Sequence, residues 1–277
     1  MRLLDENDLA DIHYAEPFAG GAAIALALLF GEYASVVHLN DLSRPVYAFW
    51  HTALTETDWL CERVDAVRVT MCTWRRQRAI YDRRQSASLA ELGFASLFLN
   101  RCNRSGIIGG GVIGGKEQLG EWDITARFGK PELIERIQRI GRYASRIRLY
   151  RMDAMKFVDR VVANLGNRAF AFIDPPYIDS GQMLYLNDYE VEDHRRLAER
   201  VARLSQPWVV TYDRAAIACR LYSKFRRIVY DLHYVAHERY LGREVMFMSN
   251  KLQIPSLPVL MGRRMHVVRH QSRLKVV

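Results

Sequence analysis

Hydrophobic and polar positions alternate along the chain in short blocks that predict strands and helices in turn. An apolar stretch at 12–18 predicts a strand, a tight turn follows at 20–21, and an alanine- and leucine-rich stretch at 22–30 predicts a helix. A β-branched stretch at 35–39 predicts a second strand, and residues 45–54 predict a second helix. This β-α-β-α beginning is typical of an α/β protein with a doubly wound, mostly parallel sheet.

The alternation stops at residue 55 and resumes after residue 145. The interrupting segment combines basic helical stretches with a glycine cluster at 106–115, which predicts a loop or an irregular hairpin because glycine disfavours a helix interior. The remaining predicted strands cover 148–152, 169–173, 208–212, 227–235 and 244–249, and the remaining helices cover 58–82, 89–100, 131–146, 193–204 and 215–225. We therefore predict one α/β domain, residues 1–54 and 146–277, with residues 55–145 as a mainly helical insert.

The composition of the chain indicates the kind of partner it binds, and it argues against a metalloprotein and a membrane-spanning protein. The formal net charge of +9 and the pI near 9.5 fit a polyanionic partner, although ordinary surface composition is the alternative explanation. The four cysteines have no C-x-x-C spacing and no histidines at ligand intervals, so we predict no metal site. The longest apolar run, 22–30, is too short to span a membrane, and we expect a cytoplasmic protein.

The strongest chemical motif follows the apolar stretch 169–173 and consists of Asp174, Pro175, Pro176 and Tyr177. The two prolines end the strand, so they leave its last groups at the sheet edge where open α/β sheets bind ligands. A carboxylate, a rigid carbonyl oxygen and a stacking ring suit a planar base with an exocyclic amino group. The alternative is an ordinary Pro-Pro turn after a strand.

A second group of motifs predicts a nucleoside cofactor. The residues between the first predicted strand and helix, which we call the glycine turn, are Glu16, Pro17, Phe18, Ala19, Gly20, Gly21 and Ala22. Small residues let a ligand approach the backbone, and the helix N-terminus offers free N–H groups. Asp41 and Asp153 close the next two candidate strands, where acids suit ribose hydroxyls and an adenine amino group. The alternative for each acid is a helix N-cap.

Taken together, the motifs resemble a known family. Their chain order is that of bacterial and phage DNA adenine methylases: Glu16-Pro-Phe-Ala-Gly-Gly, Asn40-Asp41, Phe98-Leu-Asn-Arg101, Asp174-Pro-Pro-Tyr177 and Thr211-Tyr-Asp213. The chain is similar to the α-class of adenine-specific amino methyltransferases, with the cofactor motifs first and the Asp-Pro-Pro-Tyr motif after an insert. This resemblance implies a Rossmann-like methyltransferase sheet, S-adenosylmethionine as cofactor, and methylation of flipped-out adenine in double-stranded DNA.

The resemblance also implies roles for single residues. The turn from Glu16 to Gly21 would lie against the methionine moiety, Asp41 on the ribose, Asp153 and Ala154 by the adenine, and Asp174 between cofactor and target amine. Residues 55–145 become a target-recognition insert. Its donors, predicted to reach phosphates or base edges, are Arg101, Asn103, Arg104, Lys116, Gln118 and Arg127. The alternative for each donor is a solvated surface group.

One departure and several alternatives accompany this interpretation. Family members normally open with a glycine-lysine segment, whereas Met1 to Ala15 has neither residue, so we expect a shortened form or weakened cofactor binding. Other substrates for the same motif are cytosine in DNA, adenine in RNA and a protein side-chain amide. A different class of function is a non-catalytic DNA-binding module. As partners we expect duplex DNA and, if present, a restriction endonuclease, with the chain a monomer or weak dimer.

Overall fold

The structure is a computed structural model that describes residues 1–176, 189–213, 215–234, 240–254 and 266–268. Of these, residues 231–234, 240–243 and 266–268 are described by their backbone alone. The chain divides into two compact units. Unit 1 comprises Met1–Asn40 and Met152–Val277, and unit 2 comprises Asp41–Arg151. The functional division of the chain into a catalytic domain and an insert at 55–145 stays a prediction.

Unit 1 contains the central sheet. Its strands are β1 (Ile12–Glu16), β2 (Ala34–Asn40), β4 (Ala169–Ile173), β5 (Trp208–Asp213), β6 (Arg226–Tyr234), β7 (Tyr240–Met248) and β8 (His266–Val268). Its helices are α1 (Arg2–Asp5), α2 (Ala23–Phe30), α8 (Ala154–Arg160), α9 (Val191–Ala202) and α10 (Ala216–Leu221). Strands and helices alternate up to β6, as the sequence predicts.

The strand order in unit 1 is β2-β1-β4-β5-β7-β6-β8. The first four strands of this order pair in parallel, and the last three join them through antiparallel pairs. From β1 the chain moves to β2 on one side and later returns to β4 on the other side. The predicted doubly wound, mostly parallel α/β sheet is therefore confirmed, and its topological switch point lies between β1 and β4.

The parallel half is stable because its strands are apolar on both faces, as in sheets covered by helices. Tyr14 and Ala15 of β1 and Ala171 and Ile173 of β4 have no exposed surface. The rings of Tyr14 and Phe170, which are partners in the β1–β4 register, stack at 6.1 Å between centroids. This packing fixes the ends of β1 and β4, where the polar motif residues begin.

Unit 2 is mainly helical. It contains α3 (Arg44–Thr55), α4 (Thr57–Ala66), α5 (Met71–Asp82), α6 (Leu89–Cys102), α7 (Lys130–Arg142) and the strand β3 (Ile147–Tyr150). Helices α3 and α6 approach closely at Gly93, where an added Cβ would lie 2.4 Å from the Thr52 hydroxyl oxygen and 2.6 Å from the Ala48 carbonyl oxygen. A glycine is therefore required at this crossing.

Between α6 and α7 lies a connection of residues 103–129, which we call the α6–α7 connection. Its glycine cluster forms an irregular hairpin: the Arg104 N–H donates to the Gly111 carbonyl and the Ile113 N–H donates to the Cys102 carbonyl, both at 2.9 Å. Asn103 and Val112 form an antiparallel bridge between the two arms. The predicted loop or irregular hairpin is thus confirmed.

Among the residues that the structure describes, no helix combines the length and apolar character needed to cross a membrane. Among the same residues, no three histidine, cysteine, aspartate or glutamate side chains are grouped so that they could hold a metal ion.

Candidate functional site

The switch point brings together the carboxyl ends of β1 and β4, and Glu16 closes β1. Its side chain is buried, and its Oε1 accepts hydrogen bonds from the Tyr14 hydroxyl at 2.8 Å and the Ala25 N–H at 3.1 Å. Burial raises the pKa of Glu16 to about 7; the two hydrogen bonds oppose this shift and the charge of Asp174 adds to it. Glu16 therefore anchors α2 to β1 and stays partly protonated at neutral pH.

The glycine turn leaves open space above its backbone. Gly20 and Ala22 have left-handed φ values of 48° and 46°, which is unusual for alanine and typical of strained ligand-binding turns. A Cβ added at Gly20 or Gly21 would meet no atom within 4 Å. The Ala19 N–H donates to the Asn40 carbonyl at 2.8 Å and holds the turn against β2. The turn is thus shaped so that a ligand can lie directly against its backbone, as a cofactor site there requires.

Asn40 clamps three chain segments together at this edge, a role that our sequence analysis did not assign. It is fully buried; its side-chain N–H groups donate to the Pro17 carbonyl at 2.9 Å and the Met152 carbonyl at 3.0 Å, and its Oδ1 accepts from the Met152 N–H at 3.0 Å. The sequence signal for this role is that Asn40 is polar and ends a mostly apolar strand. These bonds hold Met152, the residue before Asp153, against the end of β2.

Asp153 has the helix N-cap role of the alternative interpretation, whereas Asp41 makes a local bond without being a cap, because Ser43 is the N-cap of α3. Asp153 is the N-cap of α8, and its Oδ1 accepts from the Lys156 N–H at 3.1 Å. The Asp41 Oδ1 accepts from the Ser43 N–H at 2.9 Å, one residue before α3. A carboxylate offers about four acceptor positions, so one such bond does not use up the group. The ribose and adenine roles of the two acids stay predictions, as does that of Ala154, which is buried at the start of α8.

Asp174 follows β4 directly and lies at the exposed end of the strand. The Thr211 hydroxyl donates to its Oδ1 at 2.6 Å. Although the residue reaches the surface, desolvation of the carboxyl group raises its pKa to about 6; the Thr211 hydrogen bond lowers it and the nearby Glu244 raises it. Pro175 and Pro176 are buried behind it. Tyr177 lies outside the described residues, so its stacking role stays a prediction.

A third carboxylate belongs to the same edge. Glu244 lies opposite Asp213 in the β5–β7 register, is buried, and accepts a hydrogen bond at 2.7 Å from the Tyr230 hydroxyl. We call Glu16, Asp174 and Glu244 the acidic edge. No local sequence pattern indicates Glu244, because the residue becomes part of the edge only through the antiparallel return of β7.

An aromatic chain links the glycine turn to β5. The Phe18 ring meets Tyr189 edge-on at 5.6 Å, and Tyr189 meets His194 at 5.4 Å. A 2.8 Å hydrogen bond joins His194 Nδ1 to the Tyr212 hydroxyl, and burial lowers the pKa of His194. The four residues lie far apart in sequence, so no local pattern indicated their contact. These contacts connect the glycine turn to α9 and β5.

In unit 2, two of the six predicted DNA donors support the α6–α7 connection itself. Asn103 is fully buried: its amide donates to the Ile107 and Ile108 carbonyls, and its Oδ1 accepts from Trp74 Nε1 at 2.8 Å. The Gln118 amide donates to the carbonyls of two residues of the glycine cluster and its oxygen accepts the Ile124 N–H at 2.8 Å. In both residues the two amide hydrogens form hydrogen bonds inside the loop, so neither side chain has a free amide hydrogen for DNA in this arrangement.

The other four predicted donors are arginines and a lysine with more accessible charges. Arg101 donates to the Arg127 carbonyl at 2.9 Å, and desolvation together with the positive Arg127 lowers its pKa. The Arg127 guanidinium lies 3.4 Å from the Asn103 carbonyl oxygen. Arg104 and Lys116 are exposed. The geometry therefore leaves Arg104 and Lys116 as the best-placed cations for a polyanion, and DNA contact stays a prediction for all four.

Comparison with known proteins gives only distant likenesses. No protein-family model and no curated protein sequence matches the chain. Among solved structures it is similar to a conserved hypothetical protein from Streptococcus pyogenes, at 13% identity and a TM-score of 0.34 over 86% of each chain. It is also similar to M. capricolum TrmK in complex with its cofactor product S-adenosylhomocysteine, at 9% identity and a TM-score of 0.37 over 91% of this chain and 69% of that one.

A third similar structure is a protein of Escherichia coli described as the putative methyltransferase yhhF, at 12% identity and a TM-score of 0.33 over 89% of this chain and 84% of that one. At TM-scores this low, the likenesses carry no argument about activity.

Proposed function

We propose that this protein transfers a methyl group from S-adenosylmethionine to the exocyclic amino group of adenine in double-stranded DNA. The observation that carries the proposal is the pairing, at one topological switch point, of an open glycine turn after β1 with an Asp-Pro-Pro strand end after β4. Ligands of open α/β sheets bind at this position. The resemblance of the motifs and their order to DNA adenine methylases supports the choice of substrate.

The acidic edge suits the charges that this reaction involves. S-adenosylmethionine supplies its methyl group from a positively charged sulfonium. The carboxylates Asp174 and Glu244, together with Glu16 in its ionised fraction, give the edge a negative potential that favours such a cation. The glycine turn would hold the methionine part, while Asp41 and Asp153 would bind the nucleoside part.

Asp174 and Pro175 would act on the target amine. The lone pair of this nitrogen is delocalised into the base, which makes it a weak nucleophile. Hydrogen bonds from the amine to the Asp174 carboxylate and the Pro175 carbonyl would draw the nitrogen toward tetrahedral geometry and localise the lone pair. The carboxylate would also stabilise the positive charge that develops on nitrogen, so catalysis rests on positioning and electrostatics.

The DNA part of the proposal rests on charge and on access to the base. The net charge of +9 and the exposed Arg104 and Lys116 provide contacts for phosphates. An adenine amine inside a duplex cannot reach a strand-edge carboxylate, so the base has to leave the stack at a cost of roughly a few kcal/mol. The proposal includes a cytoplasmic protein that acts as a monomer or weak dimer. It holds with or without a restriction endonuclease as partner.

The test is tritium transfer from labelled S-adenosylmethionine to duplex DNA, RNA and protein in parallel, followed by nucleoside or amino-acid analysis of the product. We expect label in N6-methyladenine of duplex DNA. Label in methylcytosine, in RNA or in a protein amide would change the proposed substrate, but methyl transfer from S-adenosylmethionine to an amino group would stand. Cofactor binding is measured separately by calorimetry; DNA binding without any cofactor binding would identify a non-catalytic DNA-binding module and overturn the proposal.

A further inference from the structure

The contact between Thr211 and Asp174 follows from the pairing of two parallel strands. Ile173 of β4 is the partner of Val210 in β5, so the next residues of the two strands, Asp174 and Thr211, come side by side. Thr211 is buried, and its hydroxyl donates to the Asp174 Oδ1 at 2.6 Å. A charge-assisted O–H···O bond has this length. The contact lies at the same edge as the glycine turn.

We propose that Thr211 is a positioning residue that orients the Asp174 carboxylate toward the substrate amine. The inference rests on the proposed function, because it assigns Asp174 the role of amine acceptor. With Oδ1 engaged by Thr211, Oδ2 becomes the oxygen that accepts from the amine.

The physical basis is the difference in stiffness between the two side chains. A threonine in a strand is restricted at χ1 because its Cβ is branched. The last torsion of aspartate is broad and roughly two-fold, so a carboxylate at an exposed strand end samples many orientations by itself. The hydrogen bond from the stiff partner selects one of them. Because a small misplacement of a reacting group lowers the rate of the chemical step, fixing the carboxylate orientation affects turnover more than substrate binding.

The same hydrogen bond controls the charge of Asp174. Burial of its carboxyl group and the negative Glu244 across β5 both favour the protonated form, and the Thr211 bond favours the ionised form. The other titratable groups that sense Asp174 are Glu16 and Tyr14 of β1. Glu244 is the charged neighbour that raises the pKa of Asp174, and the Thr211 hydroxyl is the group that works against this rise. Without its hydroxyl, the carboxyl group should hold its proton to higher pH.

A purely structural role for Thr211 makes a different prediction. In that case the hydroxyl only satisfies a polar strand end, and its loss lowers stability without changing the chemistry of Asp174. Thr52 offers a matched control, because it is also a buried threonine, and its hydroxyl donates to the Ala48 carbonyl within α3 of unit 2.

The experiment compares Thr211→Val, Thr211→Ser and Thr52→Val in the full chain. Valine keeps the shape of threonine and removes the hydroxyl, whereas serine keeps the hydroxyl. For Thr211→Val we expect kcat to fall about ten- to a hundredfold, the equivalent of one hydrogen bond to a charged group, with little change in KM. The acid limb of its pH profile should move to higher pH. Thr211→Ser should stay within about threefold of wild type, since the bond is restored.

A second measurement reads Asp174 directly. Carboxyl-carbon NMR titration of protein labelled at aspartate, assigned with Asp174→Asn, should show the Asp174 pKa raised in Thr211→Val and near wild type in Thr211→Ser and Thr52→Val. An unchanged Asp174 titration in Thr211→Val, or an equal loss of kcat in the serine and valine variants, would overturn the positioning role. Failure of the proposed function looks different: the wild-type protein would then transfer no methyl group to any substrate, whatever the titration shows.

Discussion

The acidic edge of unit 1 and the α6–α7 connection of unit 2 both collect polar residues that the sequence marks as functional, but they use them differently. At the acidic edge, the carboxyl groups of Asp174 and Glu16 are desolvated, and Asp174 is held by a hydrogen bond from the Thr211 hydroxyl. In the connection, the amides of Asn103 and Gln118 are consumed by backbone carbonyls of their own loop.

The difference has a physical cause. The backbone groups of β4 are paired by its neighbours in the parallel sheet, so the Asp174 carboxylate is not needed to satisfy them. Asn40 after β2 differs, because its amide donates to the carbonyls of Pro17 and Met152 outside that pairing. A glycine-rich loop has no such ladder, and its carbonyl groups need donors because unpaired buried polar groups are costly. Asparagine and glutamine supply those donors. A side-chain amide beside unpaired carbonyl groups is therefore a weaker indication of binding than a carboxylate after a predicted parallel strand, because a carboxylate cannot donate to those carbonyls.

The largest effect should come from Asp174→Ala. The variant removes the acceptor of the target amine, so methyl transfer should fall by at least about a hundredfold, the scale seen when one preorganised charge-stabilising group is lost. Calorimetry should show that the cofactor still binds, because the glycine turn is untouched. Asp159→Ala, which removes an exposed acid that pairs with Arg200, is the control and should keep activity. Near wild-type turnover in Asp174→Ala would remove the acidic edge from the mechanism.

The next effect concerns how burial of Glu16 makes stability depend on pH. Its folded-state pKa of about 7 lies above the ordinary glutamate value of 4.5, so its contribution to stability is complete below pH 4.5 and is lost as the pH rises through 7. Glu16→Gln removes this dependence. The change in unfolding free energy between pH 5 and pH 8 should therefore shrink by about 2–3 kcal/mol, measured by urea titration at both values. An identical pH dependence in both proteins would show that Glu16 titrates normally.

A third prediction tests the structural role of Asn103. Asn103→Ala leaves the Trp74 Nε1–H and two loop carbonyls without their partner, so it should lower the unfolding free energy by about 1–3 kcal/mol. Asn250→Ala, which changes an exposed asparagine of unit 1, should alter stability by less than about 0.5 kcal/mol. If Asn103→Ala unfolds like wild type but loses DNA affinity, the loop-supporting interpretation is wrong and the original DNA role returns.

The smallest effect belongs to the exposed cations of the connection. If Arg104 and Lys116 each neutralise one phosphate, the double alanine variant should reduce the slope of log affinity against log salt by about two. Folding should be unaffected, since both side chains are exposed. Lys224→Ala, an exposed lysine of unit 1, serves as the charge control. A slope that changes equally in the control would assign the salt dependence to net charge rather than to these two residues.

Much of the fold could be predicted from the sequence because its signals are local. The strand that ends at Ile173 is apolar on both faces and is stopped by Pro175 and Pro176, so its position and its end follow from neighbouring residues. The glycine cluster predicts a hairpin for the same reason. The alternation of strands and helices is enough to predict the doubly wound sheet and hence the edge at which Asp174 lies.

The remaining features depend on residues distant in the chain, and only the tertiary structure decided them. Asn40 meets Met152, Thr211 meets Asp174, and Glu244 joins the edge because β7 returns antiparallel to β5. Each contact is set by strand order and register, and a shift of one residue would turn these side chains to the other face of the sheet. The sequence therefore determined which residues end the strands, whereas the pairing of the strands determined which of those residues act together.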